Sequence, residues 1–220
     1  MTLRLSRGEF WLLANAVDHG LSLRMLTMPQ WAPGIRSSDT LDAVLNRQAH
    51  GLALEALVDT LLQLSRNGWV EFGRQGSGQN VRPSADDLAS FLNERGAFRD
   101  GVYCWLTTQG GAAWESFARP EWSLFIEHES QSFDEDDDDI QTTTIRACDW
   151  KRLGRYLEAV AREEAIEPGT MTLAELRPWQ ATYWKTLPFG LECSFKSKDR
   201  RSPDCPKRPW QIRERWCEWR

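Results

Sequence analysis

The chain has 220 residues, 41% of them hydrophobic and 27% charged, with a formal net charge of −5. Such a length holds one large domain or two small ones, and the balance is that of a globular protein rather than a disordered or fibrous one. Residues 1–120, 121–199 and 200–220 carry net charges of −1, −8 and +4, which excludes the large basic domain expected of a tight nucleic-acid binder.

Cys104, Cys148, Cys193, Cys205 and Cys217 form an odd set without a C-x-x-C pair, and the N-terminal MTLRLSRGEF lacks the apolar core of a secretion signal. The expected setting is a reducing cytoplasm with packed, free thiols and no membrane span. Twelve tryptophans are many for this length. They serve either as core wedges or as anchors of a partner-binding surface.

In chain order, Ser6 to Asp18 predicts a helix, with Ser6 as N-cap, Glu9 completing a capping box, and Phe10, Leu13, Ala14 and Val17 on one face. Leu21 to Ser38, broken by Pro29, Pro33 and Gly34, predicts a loop. A short helix is expected from Asp39 to Arg47 and a longer one from Leu52 to Arg66. Asn67-Gly68 stops the longer one, and Trp69-Val70-Glu71-Phe72 alternates as a strand does. Gly73 to Asn80 is Gly-rich but lacks the lysine and the directly following helix that phosphate cradling requires. Ser84 to Asn93 predicts a capped helix. Val102 to Leu106 then reads as a buried strand, followed by a helix capped by Thr107 or Thr108 with Ala112, Ala113, Trp114 and Phe117 on its apolar face. The strands near Trp69 and Tyr103 are expected to pair over the helices.

The phrases LLQLSRNGWVEF and YCWLTTQGGAAWESF resemble the entry into and exit from the wing of the winged-helix superfamily of bacterial regulators. The resemblance covers about residues 6–118. It implies that the helix before the wing, with Arg66 as its one base, enters the DNA major groove and that basic residues of the wing, among them Arg74 and Arg82, meet phosphate. On this resemblance Arg66, Arg74 and Arg82 are the DNA-binding candidates. Glu55 and Asp59 on that helix, and a wing enlarged to about thirty residues with Asp86 and Asp87, depart from the family pattern.

The second half predicts two strands, Trp122 to Glu129 and Gln141 to Ala147, then a helix from Trp150 to about Ala165 capped by Asp149. A turn of helix is expected at Leu173 to Leu176, and a hairpin of Trp179 to Leu187 with Leu191 to Phe195. The fold class is therefore α+β: a winged-helix-like domain over 1–118, an α+β domain with antiparallel strands over 121–199, and a basic Trp-rich tail over 200–220. Asp134, Glu135, Asp136, Asp137, Asp138 and Asp139 lie between the first two strands of the second domain. They neither alternate nor contain the glycine of a calcium loop, and read as a solvated hairpin tip.

No G-x-S-x-G, H-E-x-x-H or P-loop pattern occurs, and His19, His50 and His128 are too far apart for local zinc-ligand spacing. Glu127, Glu129, Asp149 and Glu192 are the carboxylates available for acid/base work if the fold gathers them. The expected role is that of a non-catalytic, cofactor-free interaction protein, of the immunity or adaptor kind. Its partner, a protein, would meet the acidic run together with Trp122, Trp179 and Trp184. The rival expectation is a DNA-binding regulator whose second half senses or dimerises.

Overall fold

The computed structural model describes residues 4–27, 50–74, 80–94, 101–132 and 140–199. It is an α+β structure whose residues group into two compact units, Met1–Phe117 with Thr182–Lys185, and Ala118–Ala181 with Thr186–Arg220. The helix expected at 39–47 and the tail 200–220 lie outside the described residues.

The first unit begins with α1 (Arg7–Asn15), where the Ser6 hydroxyl accepts from the Glu9 backbone N–H and the Glu9 carboxylate accepts from the Ser6 N–H, as the capping box predicts. The loop expected next is partly structured. Leu21–Ser22 forms β1, and Leu23–Leu26 a turn of 3₁₀ helix. Leu21, Leu23 and Leu26 are buried there, but a two-residue strand is too short to display an alternating pattern. Helix α2 (Leu54–Arg66) buries Leu57, Val58, Leu61 and Leu64. It ends at Gly68, whose φ of 69° only glycine adopts without cost, and releases the chain into β2 (Val70–Arg74). A short β3 (Asn80–Val81) and α3 (Ala85–Asn93), boxed by Ser84 and Asp87, precede β4 (Val102–Leu106).

The expected long-range pairing is present. β2 runs antiparallel to β4 from Val70 opposite Leu106 to Arg74 opposite Val102, and the sheet order is β1-β4-β2-β3. Helix α4 (Thr108–Ala118) follows, with the Thr107 hydroxyl accepting from the Gly110 N–H at 3.0 Å as its cap.

Residues Thr182–Lys185 complete this unit. The Tyr183 hydroxyl accepts from the Leu106 N–H at 2.6 Å and donates to the Ala16 carbonyl, while the Trp184 indole donates to the Val17 carbonyl at 2.9 Å. Trp184 packs edge-on to Trp114 and lies flat on Gly111, where an added Cβ would come within 2.0 Å of its ring. Lys185 pairs with Glu115 at 2.6 Å.

In the second unit, β5 (Ile126–Ser132) pairs with β6 (Ile140–Ala147), the hairpin predicted from sequence. Residues Trp122–Leu124, read as the start of the strand, are instead a turn of 3₁₀ helix. Helix α5 (Trp150–Glu163) is N-capped by the Asp149 carboxylate at 2.8 Å and gives way at once to β7 (Glu164–Ile166).

The helical turn expected at Leu173 to Leu176 is a strand, β8 (Thr172–Leu176). Four of its five side chains are exposed, so no alternation marks it. The expected Trp179–Leu187 strand divides into β9 (Trp179–Gln180) and β10 (Thr186–Leu187), which pair with each other. β11 (Gly190–Asp199) therefore does not form the anticipated hairpin with them, and pairs with β6, β7 and β8. The main sheet has the order β5-β6-β11-β7, with β8 beside β11. Its α5 side is the core of the unit: Ile145, Ala147, Leu153, Val160, Leu191, Cys193 and Phe195 are all buried.

Candidate functional site

Alternation along β5, β6 and β11 sorts the side chains of this sheet onto two faces. Opposite the apolar core lie Glu127, Glu129, Thr142, Thr144, Arg146, Glu192 and Ser194, and further along β11 Lys196 and Lys198, all half-buried or exposed. Register places Arg146 between Glu127 and Glu192 on the two flanking strands. Its Nε donates to Glu192 Oε2 at 2.6 Å, and its Nη1 lies 3.1 Å from Glu127 and 3.8 Å from Glu129.

Burial works against the Arg146 charge, but the hydrogen-bonded carboxylates of Glu192 and Glu127 outweigh it and hold the guanidinium above the ordinary arginine range. Within the cluster Arg146 meets three carboxylates, while Lys196 and Lys198 lie on the same face toward the other end of β11. Glu129, whose side chain is 49% exposed against 33% for Glu127 and 29% for Glu192, has the most charge left to offer a partner.

The α5 side of the same strands carries a chain of polar contacts. It runs from the Tyr156 hydroxyl to His128 Nδ1 at 3.0 Å, from His128 Nε2 to Ser130 at 3.1 Å, and on through Thr143 and Ser197 to Glu164. Ser197 donates to the Glu164 carboxylate at 2.6 Å, and the chain gives the buried hydroxyls of Thr143 and Ser197 their partners.

Other candidates from the sequence fall differently. The acidic run Asp134 to Asp139 lies outside the described residues. Trp122 is half-buried and edge-on to Phe125 at 5.3 Å. Trp179 and Trp184, expected on the partner-binding surface, are 1% and 9% exposed. This corrects their assignment. Trp179 packs against Phe125 and Gly190, and Trp184 is a core residue of the first unit, because rings of this size stabilise most when wholly withdrawn from water.

Of the four carboxylates proposed to gather, Glu127, Glu129 and Glu192 do, while Asp149 is used as the α5 cap. Sequence reasoning missed Arg146, their common partner. Its alternation with Thr142 and Thr144 on β6 was the available signal.

The basic candidates are spread over separate elements. Arg66 is exposed at the end of α2, whose other exposed positions include Glu55 and Asp59. Arg74 pairs with Glu94 at 3.8 Å and lies over the Phe91 ring, and Arg82 is exposed after β3. Burial, followed by the nearby Glu71 charge, pushes the Cys104 thiol up to about 12. Burial also raises Cys148 and Cys193, so none of the three is activated.

Among the described residues there is no group of three or more His, Cys, Asp or Glu able to hold a metal ion, and no helix long and apolar enough to cross a membrane. In comparison with known proteins, no family model, no curated protein and no solved structure matches the chain.

Proposed function

We propose that this chain is a non-catalytic, cytoplasmic interaction protein, of the immunity or adaptor kind, that engages another protein through the charged face of its second sheet. The observation that carries the proposal is the cluster of Glu127, Glu129 and Glu192 around Arg146, together with the run Asp134 to Asp139 that follows β5 in sequence. The carboxylates at the β5 end of this face disfavour phosphate backbones and attract basic protein surfaces, mainly by accelerating encounter and rejecting wrong partners. Affinity purification from the native host, with the wild type and with Glu127→Gln/Glu129→Gln, tests it. The expected result is one stoichiometric protein partner, its recovery falling about tenfold in the variant and with added salt. No partner, or undiminished recovery, contradicts it.

A second role, that of a winged-helix DNA-binding regulator, draws support from one arrangement: α2 feeds β2, β2 pairs with β4, and Thr107–Gly110 leads out into α4. A mobility shift at low salt on DNA upstream of the chain's own gene, abolished by neutralising Arg66, Arg74 and Arg82 together, is its expected signature. An absent or unchanged shift removes it.

A further inference from the structure

We infer that the outer edge of β5 takes up an extended, lysine- or arginine-bearing segment of a partner protein as an added strand. This rests on the proposal above that the charged face binds a protein, and it specifies how. β5 ends the sheet, with β6 on its inner side and no strand on its outer side among the described residues. Its pairing with β6 is unbroken from Ile126 opposite Ala147 to Ser132 opposite Gln141. An edge of this kind presents a row of backbone N–H and C=O groups to any chain that lies alongside.

Proteins usually block such edges with proline, lysine, a bulge or a covering element. The sequence IEHESQS holds no proline or lysine, the register shows no bulge, and Glu129, Ser130 and Gln131 are exposed. What guards this edge is charge. Glu127 and Glu129, two residues apart, project from the same face, so an added strand brings its own alternate side chains directly beside them.

A second copy of β5 docked antiparallel would set glutamate against glutamate, which disfavours self-association. A segment with basic residues at alternate positions meets both carboxylates at once. Arg146, on β6, meets Glu127 and Glu129 from the inner side of β5, and Lys196 and Lys198 lie two strands in, on β11, so the outer side is left for the partner's cations. Nucleic acid offers phosphate instead and is repelled.

The test uses the full chain and a fluorescein-labelled octapeptide of alternating lysine and threonine, beside the same peptide methylated on every backbone nitrogen, with binding followed by anisotropy at low salt. Methylation keeps the charge and removes the strand's donors. The expected result is that the unmethylated peptide binds about tenfold more tightly than the methylated one and about tenfold less tightly to Glu127→Gln/Glu129→Gln. Amide exchange should slow at residues 126–131 when it is bound. Equal binding of the two peptides would show attraction by charge alone, overturning strand addition while leaving the acidic-face proposal standing. Binding of neither peptide, or binding indifferent to the double substitution, would also overturn it, and the purification experiment would then decide the broader proposal separately.

Discussion

The two units each contain an antiparallel sheet, and they use the second face of that sheet in opposite ways. In the first unit, β4 buries Val102, Cys104 and Leu106 on one side, and on the other Tyr103 and Trp105 stack at 5.6 Å. In the second unit, β6 buries Thr143, Ile145 and Ala147 on one side and turns Thr142, Thr144 and Arg146 outward among carboxylates. Aromatic and aliphatic contacts dominate the first sheet, with Glu71 and Arg74 exposed on β2. The second keeps charged groups on its outer face, at the cost of partly desolvating them. The contrast separates a sheet held mainly by packing from one whose outer face carries the charge on which the proposed recognition rests.

Three substitutions probe that contrast, in decreasing order of expected effect. Trp184→Ala removes the ring lodged between Trp114 and Gly111, and should destabilise the first unit by about 3–5 kcal/mol in denaturant unfolding. Arg146→Ala leaves the half-buried carboxylates of Glu127 and Glu192 without their cation and should cost about 1–3 kcal/mol, part of which returns when Glu192→Gln is added. A loss as large as that for Trp184→Ala would make the cluster a structural keystone, and the contrast would fail. Glu129→Gln should change stability by less than about 0.5 kcal/mol, since its ion pair is long and half-exposed, while still weakening partner binding.

A further prediction, read as a titration, concerns α3. Hydrogen bonds from the Ser84 hydroxyl, then from the Ser84 backbone N–H, hold the Asp87 carboxyl below its ordinary value of 3.8. Stabilisation from this group is therefore complete above the unfolded pKa and lost as pH falls through the lower, folded one. Ser84→Ala should move the Asp87 titration upward in a carbon-detected NMR experiment, and an unmoved titration would deny the capping box its electrostatic part.

Sequence alone revealed much of the first unit because its signals are local or strongly apolar. The capping box at Ser6, the helix cap at Ser84, the Gly68 stop and the β2–β4 pair all carry residue types that few other conformations favour. β1 was hidden by its two-residue length, and β8 by the exposure of nearly all its side chains.

Most of the candidate site was hidden for another reason. Glu127 and Glu129 share a face by simple alternation, but Glu192 joins them only because β11 pairs with β6 rather than with the nearer Trp179–Leu187 stretch. That choice depends on tertiary packing, which local pattern does not encode. The tryptophans misled in the opposite direction. Abundance suggested a binding surface, whereas Gly111 and Gly190 mark the places where Trp184 and Trp179 settle into their cores, a match visible only once the chain is folded.

The most direct test of the charged face as the binding surface is amide hydrogen exchange on the full chain, alone and saturated with the partner recovered from its host. Protection gained at residues 126–131 and 140–147, with Leu54–Arg66 unchanged, is the predicted result. Protection confined to Leu54–Arg66, with β5 and β6 exchanging as in the free protein, would contradict it.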